Sequence, residues 1–240
     1  MKRKKILFVM VEGRSEETAL GVILSRLYPE AIVHVHVMGG DITASNKTFP
    51  SNIVSLITAE VKAFARSYGL KKQDFQEMIH LIDTDGAFVP NSMVRFSEKH
   101  RKIFYTEEEI LTAYPDQIEA RNERKRENVN QLRGVRWIWE TIPYQLYYMS
   151  TNLEHVLVDK INCSNREKEK FAFHFAMKYK DHLQDFLHFM AGSSFSVDGP
   201  YQDSWAFIEK GDHSLRRFTN YGLSLEPLID FPSELGPNKG

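Results

Sequence analysis

The chain has 240 residues, of which 42% are hydrophobic and 12% aromatic, enough apolar side chain for a large packed core. Its lone cysteine, Cys163, excludes an internal disulfide, and no Cys/His cluster has the spacing of a structural zinc site. The formal net charge of −1 excludes a general electrostatic attraction to nucleic acid, so only local basic patches could provide one.

The amino-terminal segment imitates an export signal, because four basic residues precede an apolar run. That run extends only from Ile6 to Val11 before Glu12 interrupts it, which is too short for the apolar region of a signal peptide. No later stretch approaches the roughly 20 apolar residues of a membrane-spanning helix. We therefore expect a cytoplasmic protein with no membrane partner.

The first part of the sequence predicts alternating strands and helices. Ile6–Val11 is a continuous apolar run typical of strands buried on both faces, and Ala31–Met38 and Met78–Ile82 are similar. Between these strands, the spacing of apolar residues predicts one helix that Ser15 caps and a second over Asn52–Tyr68. Strands and helices that alternate in this way indicate right-handed crossovers and a parallel sheet.

The middle of the chain is more polar and interrupts this pattern. We predict a charged helical insertion at about residues 90–136, with one or two helices within Thr106–Leu132. A fourth strand follows at Pro143–Met149, and a helix starts directly after it at Asn152. The predicted fold class is α/β, with a Rossmann-like, four-stranded parallel sheet flanked by helices.

The predicted domain organisation has two parts. Residues 1–160 form the α/β core with its insertion, and residues 161–240 form a mostly helical carboxyl-terminal extension packed on the core. The extension contains a helical region over Asn165–Met190, which Gly192 ends, and a loose tail over Pro232–Gly240. No linker is clear enough to separate two independent domains.

Acidic residues follow two of the predicted strands. Glu12 comes after the first strand, and Asp83 and Asp85 come after the third. Carboxyl ends of parallel strands meet at one crevice, and residues two apart on an extended segment share a side. Gly86 then permits a sharp turn. Three such carboxylates need a cation, and Mg²⁺, or else Mn²⁺, prefers oxygen ligands. Each signal alone has a simpler explanation: a glutamate at a strand end often caps a helix or forms a salt bridge, and Asp-x-Asp-Gly is a common turn.

Basic residues near these carboxylates are candidates for phosphate or nucleic-acid binding. Gly13 and Arg14 lie at the amino terminus of the first helix, where backbone N–H groups favour anions. Arg124, Lys125 and Arg126 lie on the charged insertion. The alternative is that the basic residues of the insertion form an ordinary solvated helix face.

The acidic motifs resemble those of a known family. The segment Val11-Glu12-Gly13-Arg14-Ser15-Glu16-Glu17, followed later by Leu81-Ile82-Asp83-Thr84-Asp85-Gly86, is similar to the TOPRIM domain. This domain is shared by topoisomerases, bacterial primases, OLD-type nucleases, ribonuclease M5 and recombination protein R. The resemblance extends from residue 5 to about residue 90 and implies a TOPRIM-like fold.

A second segment resembles a subset of this family. Residues 147–155 are similar to the Ser/Asn-x-x-Glu stretch after the last core strand of RloB-like and other small defence-associated TOPRIM proteins. The resemblance implies that Glu154 is a fourth acidic group near the metal, positioned by Asn152. The alternative is that Asn152 caps the next helix and Glu154 merely lies in its first turn.

The family resemblance implies metal-assisted chemistry on phosphodiester bonds. A single cysteine and a short chain argue against a topoisomerase, a primase or recombination protein R, which leaves a compact OLD/RloB-like nuclease of phage defence acting on DNA or RNA. Asp83 and Asp85 would hold metal, and Glu12 would hold a second ion or act as general acid or base. The alternative is a non-catalytic partner or regulator of another protein.

The sequence also bears on possible partner proteins. No phosphate-binding P-loop motif occurs in the sequence, so an ATPase of the kind that OLD-type enzymes carry would have to be a separate partner protein. The sequence leaves open whether the chain forms a homo-oligomer.

Overall fold

A computed structural model describes residues 4–229 of the chain. The elements in chain order are β1 (Lys5–Val11), α1 (Arg14–Leu27), β2 (Ala31–Val37), α2 (Ile53–Ser67), β3 (Phe75–Asp83), β4 (Val94–Phe96), β5 (Phe104–Tyr105), β6 (Ile110–Thr112), α3 (Pro115–Arg133), β7 (Trp137–Ile138), β8 (Ile142–Met149), α4 (Leu153–Val158), α5 (Asn165–Tyr179), α6 (Leu183–Ala191), α7 (Tyr201–Ile208) and α8 (Gly222–Leu225). These strands form a five-stranded sheet and a three-stranded sheet, and the protein is therefore α/β.

The larger sheet has the strand order β2-β1-β3-β8-β7. The strands β2, β1, β3 and β8 are parallel, which confirms the predicted parallel core, whereas β7 is antiparallel to β8. The prediction of four strands was therefore incomplete, since the sheet has five strands and is mixed. The extra strand, Trp137–Ile138, has two residues and is too short to show any periodicity in the sequence.

The central strands carry a separate hydrophobic layer on each face, because successive side chains of a strand point in opposite directions. Leu7 and Val9 of β1 are buried against apolar residues of α1, α5 and α6. Phe8 and Met10 are buried on the opposite face against α2 and against Trp205 of α7. Burial on both faces explains the continuous apolar runs in the sequence and places the polar residues at the ends of the strands.

The insertion differs from the prediction. Its helix α3 begins at Pro115, and the preceding segment contains β6, which pairs with β4 in parallel and with β5 in antiparallel orientation. The prediction of helices over Thr106–Leu132 is therefore wrong for Ile110–Thr112, and the insertion is not purely helical. Strands of two or three residues carry too little pattern to compete with the charged, helix-favouring composition around them.

One helix start also differs from the prediction. Gly13 occupies the cap position of α1 and Ser15 lies within its first turn, so the prediction that Ser15 caps this helix is wrong. By contrast, Ser164 caps α5 in a reciprocal arrangement with Glu167, the motif that stabilises isolated helix ends.

Helices α5 to α8 form the carboxyl-terminal region within the described residues. The helical region predicted over Asn165–Met190 consists of α5 and α6, and Gly192 follows as the carboxyl-terminal cap. The tail predicted over Pro232–Gly240 lies outside the described residues. Among the helices of residues 4–229, none combines the length and the apolar character needed to cross a membrane.

Candidate metal centre

Three carboxylates converge at the carboxyl ends of neighbouring strands. Glu12 follows β1, Asp41 follows β2, and Asp85 follows β3. One oxygen from each lies within 4.8 Å of the oxygens from the other two. They converge because β1 lies between β2 and β3, so that the loops after these strands leave one edge of the sheet together.

A lysine ammonium lies among these carboxylates. The Nζ atom of Lys125 is 2.8 Å from Oδ2 of Asp41, 2.8 Å from Oδ2 of Asp85 and 3.6 Å from Oε1 of Glu12. The Lys125 side chain is 0% exposed, whereas those of the three acids are 14 to 23% exposed. Lys125 belongs to α3, so the insertion contributes directly to the site. We call these four residues the Lys125 cluster.

Hydrogen bonds outside the Lys125 cluster hold two of its carboxylates. Asp41 Oδ1 accepts hydrogen bonds from the backbone N–H of Thr43 at 2.8 Å and from its hydroxyl at 2.5 Å. The Tyr105 hydroxyl donates to Oδ1 of Asp85 at 3.4 Å, and Arg121 donates to the Asp85 carbonyl at 2.8 Å. The positions of the acids are therefore fixed by the surrounding loops and by the insertion.

The structure separates Asp83 from Asp85. The strand ends at Asp83, and Asp85 adopts a left-handed conformation with φ of 51°. The premise that both residues lie on one extended segment is therefore wrong, although the charge of Asp85 still acts on the Asp83 carboxyl. Gly86 makes the predicted sharp turn, with φ of +65° and no room for a side chain, since a Cβ would lie 2.6 Å from Leu215.

Asp83 lies between the Lys125 cluster and a second set of acids. Its backbone N–H donates to Oε1 of Glu12 at 3.2 Å, and burial, followed by the charges of Glu12, Glu16, Asp85 and Glu154, raises its pKa. Glu16 and Glu154 are 8% and 3% exposed. Lys168 of α5 forms an ion pair with Glu154, with 3.0 Å between Nζ and Oε2. We call Glu16, Asp83, Glu154 and Lys168 the Lys168 cluster.

Asn152 caps helix α4. Its side-chain oxygen accepts a hydrogen bond from the backbone N–H of His155 at 3.0 Å. The interpretation of Asn152 as a capping residue therefore holds. Glu154 lies in the first turn of α4 as that interpretation states, and it is also buried near Asp83 and Glu16.

The electrostatics show an excess of negative charge at this edge of the sheet. Burial raises the pKa of Glu12 well above its usual value, and Asp41 and Asp85 raise it further, although Lys125 acts in the opposite direction. Burial and the neighbouring acids also raise the pKa of Asp83. Burial lowers the pKa of Lys125, but its acidic partners outweigh that effect and raise it well above normal, so the ammonium stays charged.

The donor set fits a hard divalent cation. Three carboxylate oxygens within 4.8 Å of one another are the ligands that Mg²⁺ and Mn²⁺ prefer. Lys125 supplies one positive charge to three carboxyl groups. Glu12, Asp41 and Asp85 are thus the residues that could hold a metal ion, and any such ion would share them with the Lys125 ammonium.

The amino terminus of α1 is less open than its sequence suggests. Arg14 is exposed, as an anion-binding residue would be. However, Oε2 of the buried Glu16 approaches within 3.1 Å of the position that a Cβ on Gly13 would take. Burial raises the pKa of Glu16, and the nearby backbone N–H groups of Gly13 and Glu16 act in the opposite direction. The Glu16 carboxylate therefore occupies the position beside Gly13 where the sequence predicts a bound phosphate.

The three basic residues of the insertion have different surroundings. Arg124 donates to the carbonyl of Ala44 at 3.0 Å, and Arg126 donates to the carbonyl of Ala87 at 2.8 Å. Lys125, between them in sequence, is buried in the Lys125 cluster. The two arginines thus tie α3 to the loops after β2 and β3, and Lys125 enters the site itself.

Sequence reasoning missed Asp41, Glu16 and Lys168. Asp41 could have been found, because it follows the second strand after two glycines just as Glu12 follows the first. No pattern in the sequence indicates that Glu16 of α1 and Lys168 of α5 meet, because the approach of these two helices depends on their packing.

Comparisons of the chain with protein-family models, with curated proteins and with solved structures found no match. The site is therefore interpreted from its own geometry.

Proposed function

We propose that this protein is a metal-dependent nuclease of the TOPRIM kind, which hydrolyses phosphodiester bonds in DNA or RNA. The observation that carries the proposal is the convergence of Glu12, Asp41 and Asp85 within 4.8 Å at the carboxyl ends of parallel strands. The order of the motifs, a glutamate after β1 and an Asp-x-Asp-Gly turn after β3, supports the TOPRIM assignment. Phage defence and a partner ATPase remain predictions from the resemblance.

Each residue has a role that its surroundings support. Glu12, Asp41 and Asp85 would hold Mg²⁺ or Mn²⁺, which polarises a phosphoryl oxygen and acidifies bound water. Asp83 is a stronger base than an ordinary aspartate, because burial and its acidic neighbours raise its pKa. Lys125 is held 2.8 Å from two of the acids and keeps them in place.

Incubation of the purified protein with plasmid, single-stranded DNA and transfer RNA, with Mg²⁺ or Mn²⁺, tests the proposal. We expect cleavage that EDTA abolishes, and we expect Asp85→Asn and Glu12→Gln each to lower its rate by about 10²- to 10⁴-fold. Asp116→Asn, at an exposed position in the first turn of α3, is the matched control and should keep full activity. Absence of cleavage with every substrate and both ions would contradict the proposal.

A second candidate function follows from the position of Lys125. Because its ammonium already pairs with Asp41 and Asp85 at 2.8 Å, the cluster could be purely structural in a protein that binds or regulates another protein. Titration with Mn²⁺, followed by electron paramagnetic resonance, separates the two candidates. A nuclease should bind Mn²⁺, and Asp85→Asn should lower its affinity for the ion. A purely structural cluster should bind no ion in the wild-type protein.

A further inference from the structure

A cavity lies at the opposite end of the larger sheet from the acidic centre. Its volume is about 420 Å³, within the range of small-molecule sites. Glu77 and Gln145 line it from the early parts of β3 and β8, and Tyr28 lines it from the segment that precedes β2. Glu77 and Gln145 lie on the face of the sheet that Ile79 and Tyr147 share, by the alternation of side chains along a strand.

The lining of this cavity is aromatic and acidic. It includes the rings of Tyr28, Tyr147 and Tyr201 and the carboxylates of Glu77 and Glu226, and no lysine, arginine or histidine among residues 4–229 lines it. Tyr147 and Tyr201 form adjacent walls, with ring centroids 5.9 Å apart and planes at 86°. Such a surface attracts a cation both through charge and through the faces of its rings.

The tyrosine hydroxyls are arranged as acceptors. The Tyr201 hydroxyl donates its proton to the carbonyl of Leu146 at 2.7 Å, and the Tyr147 hydroxyl donates to the side-chain oxygen of Gln145. Since each hydroxyl has one proton, both oxygens are left with lone pairs that can accept a hydrogen bond from a ligand. The cavity therefore favours a ligand that donates hydrogen bonds.

The carboxylates give the cavity a negative field. Within residues 4–229, no basic side chain or hydrogen bond contributes to the environment of the Glu77 carboxyl, which is affected by burial. Burial raises the pKa of Glu77, and burial together with the charge of Glu77 raises the pKa of Tyr28 to about 12. Burial, with Tyr201 and Glu77 among the further causes, also raises the pKa of Tyr147. A positive charge in this space would oppose these shifts, because it favours the negatively charged forms of these groups.

We propose that the cavity binds a small organic cation, an alkyl diamine or polyamine. Each of its two carboxylates can pair with one ammonium group, and its tyrosines can contact the alkyl chain and accept the ammonium hydrogens. A metal ion fits less well, because the group of three carboxylates found among the described residues is Glu12, Asp41 and Asp85, to which neither Glu77 nor Glu226 belongs. This proposal does not depend on the nuclease function.

Isothermal titration of the full chain with putrescine and with spermidine, in about 150 mM salt to screen non-specific attraction, tests the proposal. We expect saturable binding of one molecule per chain, and no binding of 1,4-butanediol, which has a similar length but no charge. Glu77→Gln should weaken binding by about 10-fold or more, since one charged hydrogen-bonding partner is lost. Tyr201→Phe should weaken it less.

Three variants serve as controls. Glu169→Gln, at an exposed position on α5, should leave the affinity unchanged, and so should Asp85→Asn, because the diamine does not bind at the acidic centre. Glu226→Gln provides a second test if Glu77→Gln does not fold. The proposal is overturned if neither amine binds, if both glutamate variants keep the wild-type affinity, if Asp85→Asn abolishes binding, or if only a lysine-rich peptide binds.

Discussion

The Lys125 cluster and the Lys168 cluster combine the same kinds of group in different ways. Both place a lysine from outside the first three strands against carboxylates at one edge of the sheet. Lys125 is 0% exposed and lies within 3.6 Å of three acids. Lys168 is 32% exposed, and its ion pair within residues 4–229 is with Glu154. The first lysine is thus enclosed by three acids, whereas the second is partly open to solvent.

This difference indicates where negative charge remains. Lys125 lowers the pKa of Asp41 although burial opposes it, and so stabilises the charged form of that acid. Glu12 and Asp83, at the junction of the two clusters, have raised pKa values because burial and the surrounding acids disfavour their charged forms. An added cation at the junction would favour those charged forms.

The largest effect on stability should come from Lys125→Met in the absence of divalent ions. Removal of one partner from a buried ion pair destabilises a protein by about 3–5 kcal/mol, because the remaining charges stay buried without compensation. We expect a loss of this size in the free energy of unfolding, measured by urea denaturation in EDTA. Lys170→Met, on the exposed face of α5, should change little.

The same variant shows whether the Lys125 cluster binds metal. If Glu12, Asp41 and Asp85 can hold a divalent ion, Mg²⁺ should restore much of the stability of Lys125→Met and should stabilise the wild-type protein less. Equal effects of Mg²⁺ on the two proteins would show that Lys125 and the ion do not compete for the same carboxylates.

The sequence predicts the parallel core and its acidic strand ends because both depend on local patterns. The apolar runs around Phe8 and Ile79 identify buried strands, and the parallel order then places Glu12 and Asp85 at one edge. The split between Asp83 and Asp85 depends on a single left-handed residue, which a short Asp-x-Asp-Gly motif does not reveal.

The lysines of the site depend on tertiary packing. Lys125 looked like part of a solvated or phosphate-binding basic run, since its neighbours in sequence are arginines. Its burial follows from the docking of α3 against the loops after β2 and β3, where Arg124 and Arg126 bind backbone carbonyls. The helical spacing of Ile118, Val129 and Leu132 places Lys125 on the buried face of α3, but it does not identify the acids that Lys125 meets there.

A smaller loss of stability should follow from Lys168→Met. This change leaves Glu154, which is 3% exposed, without its ion pair, and an unpaired buried acceptor costs about 1–3 kcal/mol. The partial exposure of Lys168 places the effect below that of Lys125→Met. Urea denaturation of both variants under one condition measures the difference. A loss for Lys168→Met that equals or exceeds the loss for Lys125→Met would contradict the contrast between the clusters.

The smallest effects should come from two isosteric substitutions, Asp83→Asn and Asp41→Asn. Each should change the free energy of unfolding by about 1 kcal/mol near neutral pH, in opposite directions. The pKa of Asp83 is raised in the folded protein, so the unfolded chain ionises first as the pH rises above about 4, and wild-type stability falls through that range. Asparagine removes this penalty, and Asp83→Asn should stabilise the protein increasingly with pH.

Asp41 behaves in the opposite way because its folded pKa is lowered, the Lys125 ammonium and hydrogen bonds outweighing burial. Its charged form contributes stability above its unfolded pKa, and this contribution is lost as the pH falls through the folded value. Asp41→Asn should therefore destabilise the protein at pH 7, with a difference from the wild type that shrinks below about pH 4. Thermal unfolding in EDTA from pH 3 to pH 8 measures both variants. If both variants change stability in the same direction relative to the wild type as the pH rises, the two aspartates do not differ in charge environment. The distinction between the two clusters would then be wrong.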